Sequence, residues 1–353
     1  MKIDDLLNEM AAQQASDLYI KTGVPPMLRV SGQLFPIGTE PLTAVAVEEL
    51  ASVMMTRRHQ KEFAQRQQVH LAYQTPTLGR YRVNLYTQRS APAIVIRRIK
   101  SEIPSFEELG LPPATEKLAV ASRGLILVTG PSGSGKSTTL AALIDHRNRH
   151  AAGHIVTIED PIEFVHTDRQ SLVSQREVGI DCESFADALQ DVLWQAPDVI
   201  LIGEIRDMES AKAAVHFAET GHLVLSTLHA TNAPQAIEHM LHFFPPDAHA
   251  TVRMQLSLNL LAVVSQRLIL KWDGTGVVLA LELLLVTPHV RDLLRTGNVN
   301  GLRAALQSGT QEGMQSFDQA IFSLIQEGTI DAETGLQYAD SSSDLRLRLR
   351  GMR

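Results

Sequence analysis

Residues 130–137 read Gly-Pro-Ser-Gly-Ser-Gly-Lys-Ser, which are the residue types and spacing needed to hold the phosphates of a nucleotide. Glycines at the first, fourth and sixth positions allow backbone torsions that turn successive N–H groups toward phosphate oxygens. Lys136 would place a positive charge on the β- and γ-phosphates, and the Ser137 hydroxyl could ligate Mg²⁺. The predicted nucleotide-phosphate residues are Gly130, Ser132, Gly133, Ser134, Gly135, Lys136, Ser137 and Thr138.

The surroundings of this loop agree with that chemistry. An apolar run at residues 125–129 predicts a buried strand directly before the loop, and residues 137–150 predict a helix directly after it. A helix that begins at the loop adds the positive end of its dipole to the phosphate site. We therefore predict an ATP-binding protein.

Carboxylates at the ends of two further strands could complete a hydrolytic site. Residues 198–202 form an apolar run that ends in Gly203 and Glu204, the form expected of a Walker B element, whose acid holds Mg²⁺ partly through water. Residues 157–164 carry Glu159, Asp160 and Glu163, and three carboxylates so close repel one another unless a cation or protonation relieves them. One of them could orient the attacking water, although the spacing alone equally describes a solvated acidic turn.

These motifs together resemble those of the secretion and pilus ATPases. Residues 157–164 resemble the family's Asp box, and residues 221–229 (Gly-His-Leu-Val-Leu-Ser-Thr-Leu-His) resemble its His box. The resemblance implies that Glu163 is the catalytic carboxylate, that Glu204 is the Mg²⁺-linked acid, and that His222 and His229 contact or sense the γ-phosphate. An exchange of roles between Glu163 and Glu204 stays open. A zinc site on the two histidines is disfavoured, since their spacing lacks the i,i+4 geometry of helical metal pairs.

The elements that must position these residues predict an α/β fold. Residues 1–100 mix a helix with an apolar face at residues 3–14 and strand-like runs at 69–74, 81–86 and 93–99. Residues 101–123 predict a linker, 124–285 an ATPase core with parallel strands at 125–129, 155–158, 198–202 and 223–227, and 286–340 a helical part. A hairpin turn is expected at 272–276, and residues 341–353 are expected to be loosely held.

The resemblance extends to the N-terminal region and implies a PAS-like α/β domain followed by a RecA-like ATPase domain. Residues 15–18 resemble the opening of that N-terminal domain, and Arg80, Arg82 and Arg97 resemble its arginines, which are implied to reach the nucleotide as subunits close around it. Ordinary surface arginines remain the alternative. The same resemblance implies a homo-hexamer with ATP between neighbouring subunits.

Within the family the chain is more similar to the type IV pilus retraction branch, for which residues 313–319 (Gly-Met-Gln-Ser-Phe-Asp-Gln) are a signature. Two departures and the tail at residues 339–348 favour the accessory PilU-type subfamily over the primary PilT type. The departures are in residues 289–296 and at Trp194, where relatives commonly carry an arginine near the site. The implied partners are an inner-membrane pilus platform protein and a partner retraction ATPase of the PilT type.

Composition constrains the remaining alternatives. The net charge of −7 and the 5% aromatic content argue against a nucleic-acid translocase, which needs a basic groove or stacking aromatics. The intact Lys136, Glu163 and Glu204 argue against an inactive enzyme, and a ring adaptor with dispensable hydrolysis stays open as a less favoured alternative. The N-terminus lacks the pattern of a signal peptide, and the longest apolar run is too short to span a bilayer. We expect a cytoplasmic protein that partners hold at the inner membrane.

Overall fold

The computed structural model describes residues 2–30, 32–75, 77–99 and 102–351. The fold is mixed α/β with two separate sheets, as the sequence predicted, and the chain divides into two compact units. The first unit comprises Met1–Glu102 together with Glu163–Val165, and the second comprises Ile103–Ile162 and His166–Arg353. The sequence did not predict that Glu163–Val165 would group with the first unit.

The first unit is a sheet with helices packed against it. Its strands pair antiparallel in the order β3-β2-β1-β6-β5-β4. Leu6, Leu7 and Met10 from the first helix are buried in its core with Leu18 and Tyr81, which confirms the predicted apolar face. The elements are α1 (Ile3–Ala12), β1 (Asp17–Lys21), β2 (Met27–Val30), β3 (Gln33–Pro36), α2 (Ala44–Met54), α3 (Arg57–Arg66), β4 (Gln68–Thr75), β5 (Gly79–Gln88) and β6 (Ala91–Arg98).

The second unit is built on a sheet of seven strands in the order β13-β12-β7-β11-β10-β8-β9, in which only the β12–β13 pair is antiparallel. Its strands are β7 (Gly124–Thr129), β8 (Gly153–Glu159), β9 (Ser171–Glu177), β10 (Val199–Ile202), β11 (Leu223–Leu228), β12 (Leu260–Leu270) and β13 (Val277–Leu285). Its helices up to β12 are α4 (Phe106–Leu109), α5 (Ala114–Ala119), α6 (Lys136–His150), α7 (Phe185–Asp191), α8 (Met208–Glu219), α9 (Ala233–His242) and α10 (His249–Asn259).

Burial explains the parallel core of this sheet. Every residue of β7, β10 and β11 is buried, because apolar clusters cover both faces of the sheet. The carboxyl ends of parallel strands meet at one edge, so the loop after β7 and the acid after β10 come to the same side. The predicted hairpin is confirmed, since β12 and β13 pair from Leu270 and Val277 onward.

The segment predicted as a linker differs from that expectation. Residues 101–123 include α4 and α5, and Phe106, Leu111 and Ala119 are buried in the core of the second unit. The proline and glycine residues that suggested a linker instead bound short helices: Gly110, at φ +64°, closes α4, and Pro113 directly precedes α5. From residue 103 onward the segment is therefore part of the second unit.

The C-terminal part is helical, as predicted, with α11 (Pro288–Thr296), α12 (Val299–Ser308), α13 (Phe317–Gln326), α14 (Ala332–Tyr338) and α15 (Ser342–Leu349). The tail was expected to be loosely held, but Leu345 is completely buried in a small satellite core with Phe317 and Ile321. Leucine and arginine alternate in the tail, and this pattern does not have the period of a helix. The tail nevertheless forms one, in which Leu345 and Leu349 lie on one face. Among the described residues, no helix has the length and apolarity needed to cross a membrane.

Candidate nucleotide site

The phosphate loop follows β7 and has the backbone that its glycines predicted. Gly133 and Gly135 adopt φ of +79° and +88°, and a Cβ at Gly130 would approach the Gln266 carbonyl to 2.6 Å. Larger residues would therefore strain or displace the loop. Helix α6 begins at Lys136, so its N-terminal N–H groups face the phosphate position.

Two polar side chains of the loop, Lys136 and Ser134, have hydrogen-bond donors that suit an anion. The Lys136 ammonium donates to the Gly130 and Pro131 carbonyls, both at 2.9 Å, and so lies across the loop. The Ser134 hydroxyl is buried and has no hydrogen-bond partner among the described residues. A phosphate oxygen is a suitable acceptor for that hydroxyl, because buried polar groups almost always find a partner.

Glu204 lies at the same edge of the sheet with both carboxylate oxygens engaged. His229 Nε2 lies 2.8 Å from Glu204 Oε1, and Arg206 Nε donates to Glu204 Oε2 at 2.7 Å. Arg206 also donates to Asp160 at 3.2 Å. The hydrogen bond to Glu204 raises the pKa of Arg206, so its charge is retained beside these acids.

The strand ends that carry Glu204 and His229 are tied together. The Thr227 hydroxyl donates to the Gly203 carbonyl at 2.7 Å, and the Ile205 N–H donates to the Thr227 carbonyl at 2.9 Å. These bonds join the residues on either side of Glu204 to the carboxyl end of β11. They hold the Glu204 carboxylate close to the His229 ring.

The three acids of residues 157–164 have different surroundings. Glu159 accepts from the Thr157 hydroxyl at 2.6 Å and from Gln175 at 3.1 Å, so it links β8 to β9. Asp160 pairs with Arg206. Glu163 is exposed and belongs to the short stretch Glu163–Val165 that groups with the first unit. The structure therefore brings Asp160, but not Glu159, to the Glu204 network.

The two histidines of residues 221–229 were expected to contact or sense the γ-phosphate, and the structure places them at opposite ends of β11. His222 precedes β11 and its ring contacts the Thr220 hydroxyl and the Phe217 carbonyl, each at 3.1 Å. His229 follows the strand. Seven residues of extended chain place the two about 23 Å apart, so they cannot share a phosphate or a metal.

Trp194 requires a similar correction. It belongs to a 3₁₀ turn at Val192–Gln195 that precedes β10, and the Gln195 carbonyl contacts His154 at the start of β8. Trp194 thus lies at the amino-terminal edge, away from Glu204, with 90% of its surface exposed. An arginine at position 194 would therefore lie far from the nucleotide site of its own chain, and Trp194 leaves the charge of that site unchanged.

The three predicted arginines share one face of the first unit's sheet. Arg82 on β5 lies directly opposite Arg97 on β6, and Arg80 is two residues before Arg82. Arg97 donates to the buried carboxylate of Asp17 at 2.7 Å. The positive charges of Arg82 and Arg97 repel each other at this position. A bound anion would relieve that repulsion, so this face suits an anionic ligand.

The family follows from a comparison with known proteins. A model of the Type II/IV secretion system protein family matches residues 1–325 of the 353. The chain belongs to this family. Among its relatives, the chain is 46% identical to the type IV pilus ATPase PilU of Pseudomonas aeruginosa over 99% of this chain and 92% of that protein. It is 42% identical to PilT of the same organism, over 96% of this chain and 98% of that protein.

Solved structures agree with this placement in the secretion family. The crystal structure of the pilus retraction motor PilT with bound ADP superposes with a TM-score of 0.91 and 38% identity, over 98% of this chain and 99% of that one. The Legionella pneumophila ATPase DotB superposes with a TM-score of 0.77 and 26% identity, over 99% of this chain and 95% of that one. These findings confirm the predicted fold class and the resemblance to pilus retraction ATPases.

Three residues of the candidate sites were not predicted from the sequence. Arg206 follows Glu204 by two residues, a spacing that could have suggested a partner for the acid. Asp17 lies in the stretch noted for its resemblance, but only the register of β1 with β6 reveals that it binds Arg97. Arg267 on β12 carried no sequence signal, although it lines a cavity beside the phosphate loop.

The donor set fits Mg²⁺ bound with a nucleotide. Ser137 offers a hydroxyl in the first turn of α6, and Glu204 offers a carboxylate at the same edge of the sheet. Oxygen donors of these two kinds are those that Mg²⁺ prefers, and few protein ligands suffice because substrate phosphates and water complete its shell.

Proposed function

We propose that this chain is a ring-forming ATPase motor that drives type IV pilus retraction, in the accessory role of the PilU type. The supporting observation is the common edge at which the phosphate loop and the Glu204–His229 pair lie. The similarity to PilU and PilT over nearly the whole length of the chain supports the motor assignment.

The residues of this edge have separate tasks in hydrolysis. The loop N–H groups and Lys136 hold the β- and γ-phosphates. Ser137 and Glu204 would hold Mg²⁺, which would offset the negative charge of the triphosphate. Water attacks the γ-phosphorus, the bond to the β–γ bridging oxygen breaks, and ADP leaves. Glu163 accepts the proton of the water, with Glu204 as the alternative base.

Assembly would complete the site. The proposed motor is a homo-hexamer in which Arg80, Arg82 and Arg97 reach the nucleotide as subunits close around it. Its partners would be an inner-membrane platform protein and a retraction ATPase of the PilT type, which hold the ring at the cytoplasmic face of the membrane. His222 has no part in this proposal, because it lies at the far edge of the sheet.

Lys136→Ala tests the hydrolytic site. We expect the variant to lose phosphate release completely, because no other side chain replaces the ammonium on the β- and γ-phosphates. Lys212→Ala removes an exposed lysine from α8 and serves as the control that keeps the parent rate. Hydrolysis by Lys136→Ala at the parent rate in a phosphate-release assay would show that the site is assigned wrongly.

The accessory role rests on the altered stretch at residues 289–296. In α11 the side chains of His289, Arg291 and Asp292 are exposed, whereas Leu293 and Leu294 are buried. An exposed face of changed chemistry alters what the helix can bind without disturbing the fold beneath it. We infer that this face weakens independent engagement of the pilus platform.

A genetic experiment separates the accessory role from the primary one. Deletion of this protein should reduce retraction under load, and its overproduction should not replace a missing partner motor. A partner that is inactivated at its own phosphate-loop lysine should be partly rescued when this protein is active. Full retraction in a strain with this protein as its only retraction ATPase would instead identify it as a primary motor of the PilT type.

A further inference from the structure

Arg267 of β12 joins three separate parts of the second unit. Its side chain is largely buried and donates to the Tyr338 carbonyl and to the Asp340 carboxylate, each at 2.5 Å. It also donates to the Thr231 carbonyl at 3.4 Å. The guanidinium lies 3.8 Å from the centre of the Phe317 ring, within the range of a cation–π contact. One side chain thus holds four partners.

The partners of Arg267 come from functionally distinct segments. Thr231 lies two residues beyond His229, in the turn that leads from β11 to α9. Tyr338 ends α14, and residues 339–341 connect it to α15. Phe317 begins α13 and belongs to the stretch 313–319 that marks the retraction branch. Arg267 therefore connects the turn that carries His229 to the C-terminal part of the chain.

Buried carboxylates fix both ends of this connection. Glu282 accepts from the Ala233 N–H at 2.7 Å, at the beginning of α9. Asp318 accepts from the Asp340 N–H at 2.8 Å and from the Ser341 N–H at 3.1 Å. Neither segment can shift without the loss of a hydrogen bond to a buried carboxyl group, and a buried polar group that is left without a partner is costly.

The connection borders the nucleotide site. A cavity of about 510 Å³ is lined on one side by residues 131–134 of the phosphate loop and on the other by Thr231, Arg267 and residues 337–340. All of these residues belong to the second unit. The C-terminal segment is thus placed across a short gap from the loop that binds phosphate.

We propose that Arg267 is a positioning residue for ATP hydrolysis, which ties the turn after His229 to the C-terminal residues 338–341 and so sets His229 against Glu204. The proposal rests on the proposed ATPase function. It assigns a task to the stretch 313–319 in this chain, since Phe317 supports the guanidinium and Asp318 holds the segment that Arg267 binds. The C-terminal part then acts on the rate of hydrolysis through the position of His229.

Substitution of Arg267 in the full chain tests this. We expect Arg267→Ala to lower kcat by about tenfold or more, because small displacements of catalytic groups cost rate, while affinity for a fluorescent ADP analogue changes less than about twofold. Arg267→Lys should recover part of the rate, because it keeps the charge toward Asp340 but cannot bond all three oxygens. Arg66→Ala, which breaks the exposed pair with Glu62 on α3, is the matched control.

A double-mutant cycle distinguishes positioning from a structural role. If Arg267 acts through His229, then Arg267→Ala should change kcat by less than about twofold in a His229→Ala background. The same tenfold loss in both backgrounds would overturn the proposal, and so would an unchanged kcat in Arg267→Ala alone.

Two further measurements keep the test decisive. If Arg267→Ala loses its cooperative melting transition, Asp340→Asn and Phe317→Leu weaken the same connection with less disturbance, and each should show the same dependence on His229. Turnover that persists in Lys136→Ala would instead refute the ATPase site itself, whatever Arg267 does.

Discussion

At the scale of single residues, the Glu204 carboxylate is held from two sides by groups of different kinds. Arg206 carries a fixed charge, whereas His229 provides a ring nitrogen whose role depends on its tautomer. A carboxylate with one hydrogen bond on each oxygen has a defined orientation. We infer that these two contacts aim Glu204 before a nucleotide binds.

Glu163 and Glu204 can be separated by their kinetic signatures. Glu163→Gln keeps the size of the side chain and loses its charge, so we expect kcat to fall by about 10²-fold while nucleotide affinity is retained. Glu204→Gln should in addition raise the Mg²⁺ concentration required for nucleotide binding, because it removes a proposed metal ligand. Both are measured by steady-state hydrolysis and by titration of a fluorescent ADP analogue with Mg²⁺.

The opposite pattern would reverse the assignment. If Glu163→Gln loses affinity and rate equally, Glu163 is a metal-binding or folding residue, and Glu204 becomes the base. An exposed carboxylate elsewhere on the chain, such as Glu48 on α2, provides a Glu→Gln control that should leave both quantities unchanged.

At the scale of elements, the sequence predicted those strands whose burial is nearly complete. The four predicted parallel strands of the ATPase core all occur, and β10 lacks only the predicted first residue, Asp198. Asp198 instead accepts from the His154 N–H at 2.8 Å and holds the start of β8. Continuous apolar runs identify central strands because both of their faces are covered.

Elements at the margins were harder to predict. β9 is an edge strand with the sequence Ser-Leu-Val-Ser-Gln-Arg-Glu, and much of it is only partly buried, so no apolar run marks it. β1, β2 and β3 are each four or five residues long, and β3 is exposed throughout. The network around Glu204 was only partly predicted, because Arg206 and Asp160 meet through strand order rather than through sequence spacing.

Glu282 links β13 to α9 and predicts a pH-dependent stability. Its pKa is raised to about 7, chiefly by burial and also by the nearby Asp340, although the Ala233 N–H, Ser265 and Arg267 oppose the shift. The folded state therefore keeps a proton that the unfolded state releases near its usual value of 4.5. The stabilisation from this group is complete below that pH and is lost as the pH rises through about 7, a change on the order of 3 kcal/mol.

Melting temperatures measured from pH 5 to pH 8 test this. Glu282→Gln is uncharged throughout, so its melting temperature should rise relative to that of the parent as the pH increases. A difference that stays constant across this range would show that Glu282 does not change its protonation on unfolding. Comparison with Glu48→Gln accounts for the effect of the substitution at an exposed site.

At the scale of the whole molecule, the division of the site residues between two units predicts an assembly. Arg80, Arg82 and Arg97 belong to the first unit, whereas the phosphate loop belongs to the second. With ATP and Mg²⁺ we expect light scattering to give six times the mass of one chain. Arg82→Ala should reduce hydrolysis more than Arg66→Ala, which removes an exposed arginine of α3.

A fully active monomer under the same conditions would refute the shared site. A ring whose hydrolysis is insensitive to Arg82→Ala would keep the assembly and remove the arginines from the chemistry. The two results are distinguishable because mass and rate are measured on the same sample.

The satellite core around Phe317, Ile321 and Leu345 is separate from the two cores that flank the central sheet. A small apolar cluster can open at a lower free energy than a central sheet, so amide protons of α13 to α15 can exchange with solvent while β7, β10 and β11 stay protected. Substitutions in α13 to α15 should then affect the stability of the central sheet little. The C-terminal helices are therefore a region whose sequence can change while the central sheet keeps its fold.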